Sequence, residues 1–399
     1  MALPKSAIGY CGNVHPARNL SELIRRLEAH AVPLADRLGR PFDIGLWLPR
    51  VGIPGLTPTH AETLVNFMAD HGLVCRTMNA FPFGDFHAKR VKEGVYRPDW
   101  TDAERSDYTC RIADLLVLLL PEGGKGSIST LPCGYRRLLP GASLRDFFPM
   151  ILETVRHLGY LAAETGRKIS LAFEPEPGCL LETTADAIEF VKKLRQYAID
   201  GTLPFAKEDE RLVMEHVGIC FDVCHAAVMF EDPAASIRKL AATGTPIVKV
   251  QLSAALELPD PDDAEAREEL ARFVEPKYFH QTVARHPAGA LLFLDDLTAG
   301  HAEDPPEEWL ECPRWRTHFH VPVHESEIGP LKTTSPLLGP ALAALAELPN
   351  VPDIEVETYT WSVLLAEQPA ADPVAALNDG LERELRHVRG LVAALETQA

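Results

Sequence analysis

Short apolar runs alternate with longer amphipathic stretches along almost the whole chain, and this alternation restricts the fold more than any other feature. A run of about four to eight residues with period-two polarity is a strand, and apolar residues at spacings of three and four make a helix with one buried face. Nine strand candidates follow in order, at residues 7–12, 42–48, 73–78, 127–131, 169–174, 218–222, 247–252, 317–323 and 353–357. Helical segments lie between them. In SLRDFFPMILETVRHLGYLAAETG, Phe147, Ile151, Val155, Leu158 and Leu161 or Ala162 share a face before Gly166 ends the pattern. DPAASIRKLAATG opens with Asp232 and Pro233, a helix start, and stops at Gly244. Strand followed by helix, repeated, builds a parallel sheet, and eight such units close into a barrel. The expected fold is α/β, a (β/α)8 TIM barrel occupying residues 1–399 as one domain.

Nine strands exceed that count by one. Residues 254–316 hold an acidic run, LPDPDDAEAREEL, and a hairpin pattern, YFHQTVARHPAGALLFLDD, and read as an insertion between strands 7 and 8 on the loop side. The run at 317–323 belongs either to that insertion or to the barrel. At the C-terminal end, residues 372–396 place Leu377, Leu381, Leu385, Val388, Leu391 and Leu395 on one helical stripe. That stripe packs on the barrel wall or forms the seam of a homodimer.

An apolar fraction of 46% with 24% charged residues is enough for a large core. A net charge of −18 argues against nucleic acid or anionic membrane as partners, because phosphate contacts need clustered Lys and Arg. The partner expected is a small molecule. The start, MALPKSAIGYCGNVHP, lacks a basic then apolar leader, and no run approaches the roughly 20 apolar residues of a membrane span. These features imply a cytoplasmic location. Eight cysteines spread over such a chain read as reduced thiols, and Cys220 and Cys224, which flank Asp222, as small core residues.

Inside a barrel, alternate side chains point to the axis, so a polar inner face marks chemistry. In KISLAFE, Ser170, Ala172 and Glu174 oppose Ile169, Leu171 and Phe173; in GICFDV, Cys220 and Asp222 oppose Ile219, Phe221 and Val223. His318, His320 and His324 oppose Phe319, Val321 and Val323 in THFHVPVH, and Asp353, Glu355, Glu357 and Tyr359 oppose Ile354 and Val356 in DIEVETY. A buried charge is costly unless it is paired or bound to metal, and a divalent cation offsets that cost for several carboxylates together. Glu174, Asp222, a histidine and Glu357 form a set suited to Mn, Zn, Mg or Co.

The order of a strand ending in Glu174, D-x-x-H at Asp222 and His225, the EDPAASIRKL helix and a last strand ending in Glu357 resembles the xylose isomerase-like TIM barrels. That superfamily includes sugar isomerases, epimerases and the endonuclease IV group. The phrases RTMNAFPFGDFHAKRVKEGVYRPDW, GSISTLPCGYR, AFEPEPGCLLETTAD, VKVQLSAALE, HFHVPVH and EVETYTW, between residues 76 and 361, look like the EboE family of metabolite-traffic proteins from bacterial ebo clusters. The resemblance implies metal ligands at Glu174, Asp222 and Glu357, proton transfer by Glu174 and Glu357, and a substrate hydroxyl oriented by His225. Sugar isomerases usually carry a metal-binding histidine in a phrase like HVHLKD, where VKVQLSA has Gln251. Either His320 takes that vacancy, or fewer ligands bind the metal.

Substrate-binding candidates are Asn13 and His15 after the first strand, Arg76, Asn79 and His87 around the third, Arg136 after the fourth, and Gln251, His318 and Glu355. The loop HAKRVKEGVYR adds Lys89, Arg90, Lys92 and Arg97, a patch able to hold a phosphate or carboxylate. The expected function is a metal-dependent isomerase or epimerase of a sugar, sugar phosphate or cyclitol in making or moving a metabolite. Its rivals are a non-catalytic binding barrel with a degenerate site and, disfavoured by charge, an endonuclease IV-like phosphoesterase.

Overall fold

The computed structural model describes residue 3 and residues 8–55, 57–200, 206–367 and 370–398; Ala7, the expected start of the first strand, lies outside them. In chain order the first strands are β1 (Ile8–Cys11), β2 (Phe42–Trp47), β3 (Leu73–Val74), β4 (Thr77–Asn79), β5 (Lys125–Thr130), β6 (Lys168–Phe173), β7 (Val217–Asp222) and β8 (Ile247–Leu252). A separate group follows, β9 (Ala254–Leu258), β10 (Thr282–Arg285), β11 (Leu291–Leu294), β12 (Trp315–Val321), β13 (Glu327–Ile328) and β14 (Leu331–Thr333). The chain then returns as β15 (Asp353–Val356).

Strand β1 pairs in parallel with both β15 and β2, so the first sheet closes on itself. Both β3 and β4 pair with β2 and share one position, which leaves eight positions in a parallel barrel surrounded by helices. The expected strand at 73–78 is therefore two pieces. Asp43 faces Val74 but Leu46 faces Met78, so the second chain carries one extra residue, as in a β-bulge.

Period-two alternation divides the barrel as expected. Ile169, Leu171 and Phe173 are buried under the helices, while the inner face carries polar residues in register. Cys220, Lys249 and Asp353 are neighbours at one level, and Asp222, Gln251 and Glu355 at the next. Such a polar interior needs compensation. Lys249 Nζ lies 2.6 Å from Glu355 Oε1 and donates to Ser129 Oγ at 3.0 Å. Gly45 makes room for that pair, because a Cβ there would run into the Glu355 carboxylate.

Between β8 and β15 the chain builds a second, antiparallel sheet of six strands in the order β11, β10, β12, β9, β14, β13. The run expected at 317–323 belongs here as β12, paired antiparallel with β9 and β10. Antiparallel pairing excludes it from the parallel barrel, and it carries the excursion past residue 316 to Thr333. The C-terminal helix Pro373–Gln398 packs on β1 and on the helices Val32–Leu38 and Leu338–Ala346. Its buried residues include Leu381, Leu385, Val388 and Val392, so this face is used within the chain rather than as an exposed coiled-coil seam. No helix among the described residues is long and apolar enough to cross a membrane.

Candidate active site

The D-x-x-H spacing has a local cause. Asp222 ends β7 and caps the helix Val223–Val228, its Oδ1 accepting from the His225 backbone N–H at 2.8 Å and from Ser253 Oγ at 2.7 Å. This places His225 in the first turn of a helix rather than on a loop. It also leaves Asp222 Oδ2 without a partner, buried beside Glu174 and Glu357. Ligand atoms of these three acids lie within 4.8 Å of one another, and the residues are only 2–4% exposed.

Three carboxylates this close cannot all ionise cheaply. Burial, then the charges of Glu357 and Asp222, push Glu174 well above the usual carboxylate range. Burial and the charges of Asp222 and Glu355 push Glu357 up to about 8. Asp222 is raised by burial and partly restrained by His320 and its backbone donors. Asn13 Nδ2 donates to Glu357 Oε1 at 2.6 Å, and Asn79 reaches the same atom at 3.5 Å.

His320 enters from β12. Its Nδ1 donates to the Glu357 carbonyl at 2.9 Å, which leaves Nε2 bare and 3.9 Å from Asp222 Oδ2. Two ligands on one ion, each at about 2.1 Å, stand at most about 4.2 Å apart. The gap therefore admits a cation. Glu174 Oε2, Asp222 Oδ2 and His320 Nε2 are all buried without hydrogen-bond partners, an acceptor set with no donor of its own. Held by carbonyl at one nitrogen and bare at the other, His320 has the arrangement typical of metal-binding histidines. Gln251 sits level with Asp222 and Glu355, with neither amide atom hydrogen-bonded.

Above the acids opens a pocket with about 530 Å³ of empty space. Asn13, Asn79, Glu174, Glu357, His225, His318 and His320 contribute its polar lining, and Phe81, Phe86, Tyr96, Tyr278, Phe279 and Tyr359 its aromatic walls. Burial drives His225 down to about 3 and His320 to about 4; burial and the neighbouring histidines take His318 well below its usual value.

Other candidates lie elsewhere. Arg76 is tied to Asp43, which faces Val74 early in β2. Lys89 is exposed and outside the pocket lining, and Arg136 is exposed, donating to the Cys179 carbonyl at 3.0 Å. Arg90 pairs with Glu93 and Arg97 with Asp99. Lys92 does line the pocket, but its Nζ is held 2.8 Å from Asp296. His15 stacks on His30 outside the lining, whereas His87 bonds through Nε2 to the Asn13 carbonyl at 2.7 Å. Glu355 lies below, paired with Lys249. His324 follows the end of β12, so strand parity no longer governs it, and it lies 3.2 Å from Glu325.

Sequence reasoning missed Glu176, which lines the pocket. Tyr96 Oη donates to its Oε1 at 2.8 Å, Gln281 Nε2 lies at 3.3 Å, and burial pushes it up to about 8. The E-P-E in AFEPEPG was its only local signal. Tyr278, Phe279 and Gln281 come from the excursion, where no strand parity points to the barrel.

No family model and no curated protein matches the chain. Among solved structures, a xylose isomerase-like TIM barrel protein from Mycobacterium smegmatis in complex with magnesium is similar at TM-score 0.50 and 11% identity, over 97% of each chain. An IOLI protein with a bound zinc atom gives TM-score 0.49 and 13% identity over 98% of each chain. The apo form of 3-keto-D-glucoside 4-epimerase, YcjR, from E. coli gives 0.46 and 16%, covering 96% of this chain and 99% of that one. At such identities the likeness is one of fold, the xylose isomerase-like barrel.

Proposed function

We propose that this chain is a metal-dependent isomerase or epimerase of an unphosphorylated sugar or cyclitol, acting where a small metabolite is made or moved. The observation that carries it is the convergence of unpartnered acceptors from Glu174, Asp222 and His320 beside Glu357, with Glu174, His320 and Glu357 lining the pocket and Asp222 buried next to them. These four residues would hold a divalent cation, which supplies positive charge where negative charge develops on a substrate oxygen. Glu174 and Glu357 enter from different strand ends, one after β6 and one after β15. One takes a proton from the carbon next to a carbonyl and the other returns a proton, on the opposite face for an epimerase or to the neighbouring carbon for an isomerase. Asn13 holds Glu357 Oε1 at 2.6 Å and fixes which oxygen meets the substrate. His225 and His318 turn Nε2 toward one another at 3.1 Å and orient substrate hydroxyls. The aromatic walls exclude water and pack against a ring face.

The preference for an uncharged substrate rests on electrostatics. Lys92, the lysine in the lining, is already neutralised by Asp296. The role in metabolite traffic rests on the EboE-like phrases alone. Incubating the metal-loaded protein in D₂O with a panel of sugars, sugar phosphates and cyclitols tests the chemistry. Solvent deuterium is expected at a carbon of an unphosphorylated member, detected by mass spectrometry and NMR. Ligand binding without exchange in any member would instead make this a binding barrel.

A further inference from the structure

The pocket has two kinds of lining. Acids, histidines and asparagines line it at the strand ends, whereas Phe81, Pro82, Phe86 and Val95 come from the loop after β4, and Tyr278 and Phe279 from the excursion. The rings make one run of contacts that starts beside the acids. Between ring centroids, Tyr359 lies 4.5 Å from His320, and Tyr278 and Phe86 lie 4.9 and 5.3 Å from Tyr359. Phe81 and Phe279 each lie 6.1 Å from Tyr96. Val95, only half-buried, carries the apolar surface toward solvent.

The polar groups of this wall are engaged within the protein. Arg105 Nη1 donates to the carbonyls of Ala80 and Phe81 at 2.6 and 3.0 Å, Trp47 Nε1 to that of Pro82 at 2.9 Å, and the Arg50 backbone N–H to that of Phe83 at 2.9 Å. Tyr278 Oη donates to the Phe86 carbonyl at 3.2 Å and Tyr96 Oη to Glu176 at 2.8 Å. The backbone N–H groups of Val91 and Lys92 both donate to the Lys277 carbonyl, and Lys92 Nζ is held by Asp296. The wall therefore offers ring faces and methyl groups. A sugar or cyclitol bears a polar group on nearly every carbon, and a hydroxyl pressed against such a wall would lose its bonds to water without replacement. One aromatic ring is enough to cover the C–H face of a sugar. Here the apolar surface runs on across two separate segments of the chain.

We propose that the substrate is a sugar or cyclitol carrying an apolar substituent of about the size of a phenyl ring, which lies against Phe86, Val95, Tyr278 and Phe279 while the polar ring sits over the carboxylates. The proposal rests on the reading of the site as that of a metal-dependent isomerase or epimerase, and it narrows the class of substrate. It also divides the labour between elements. The strand ends bear the reacting groups, and the loop after β4 together with the excursion selects the substituent.

Matched pairs of ligands give the test. The metal-loaded full chain in D₂O is offered D-glucose, D-fructose and a keto-inositol, each beside its mono-O-benzyl ethers, with affinity read by ligand-observed NMR and deuterium uptake by mass spectrometry. At least one benzyl ether is expected to bind about 10- to 100-fold tighter than its parent, as burial of one phenyl ring implies. Phe279→Ser and Val95→Ser should each bring that ratio toward one. Circular dichroism checks that the variants fold, and the half-buried Val95 supplies the comparison if Phe279→Ser does not. Equal affinity within every pair, or an advantage that the folded variants retain in full, overturns the apolar subsite, and deuterium uptake by a parent sugar would still leave the isomerase reading standing. A benzyl ether that binds tighter than its parent but takes up no deuterium keeps the subsite and overturns the isomerase reading. Binding of neither member of any pair overturns both.

Discussion

Asp222 commits one carboxylate oxygen to local structure and leaves the other free. Oδ1 caps a helix and accepts from Ser253, while Oδ2 has no partner and faces His320 and His225. Ser253 Oγ also accepts from the Cys224 backbone at 3.0 Å, so one hydroxyl holds both the carboxylate and the turn that follows it. Groups that orient a metal ligand in this way commonly contribute 10–100-fold to affinity. Ser253→Ala should weaken Zn²⁺ binding by about that factor, read by competition with a chromophoric chelator. Unchanged affinity would mean that Asp222 Oδ2 is not a ligand.

Among the elements, the C-terminal helix does more than cover the wall. Its Glu384 accepts from Val323 N at 3.0 Å, Thr358 Oγ1 at 2.6 Å and Trp361 Nε1 at 2.7 Å. One carboxylate thus ties the end of β12, which carries His320, to the loop after β15, which begins at Glu357. Each buried donor left unpaired costs about 1–3 kcal/mol. Glu384→Leu should lower stability by about 3 kcal/mol or more in urea unfolding, and Glu384→Gln, which keeps a carbonyl acceptor, by less. Equal losses would show that the bonds to Val323, Thr358 and Trp361 contribute little beyond packing.

For the whole molecule, buried acids set the pH response of the metal-free protein. Burial raises Glu357 and Glu176 to about 8, and Asp353 and Glu384 to about 7. An unfolded chain loses these protons near pH 4. These acids hold protons in the folded state that the unfolded chain has lost, whereas buried His225, His318 and His320 stay neutral where the unfolded chain would protonate them near pH 6.5. The two effects oppose each other below that pH, and above about pH 7 the acids alone act, so stability falls as pH rises toward 8. A cation held beside Glu357, as proposed, would displace its proton and should flatten the fall. Thermal unfolding of chelator-treated protein from about pH 7 to 8, with and without Zn²⁺, measures this; metal-free stability that rises over that range would contradict it.

Much of this was already determined by the sequence. Period-two alternation places Glu174, Asp222 and Glu357 on inner faces because successive side chains on a strand must point oppositely. The helix boundaries at Asp222, Asp232 and Gly166 are equally local, since capping depends on residues within one turn. Tertiary structure decided the rest. Parity assigns His318, His320 and His324 to one face, but β12 lies over the barrel in an antiparallel sheet and ends at Val321, so only the first two reach the pocket. Arg97 belongs to the patch expected to hold an anion, and Arg76 and Arg136 to the expected substrate-binding residues, yet each is turned to a carboxylate or a carbonyl instead. Covalent geometry sets the direction of a side chain relative to its own strand. Which sheet that strand joins, and what it then faces, depends on packing between segments far apart in the chain.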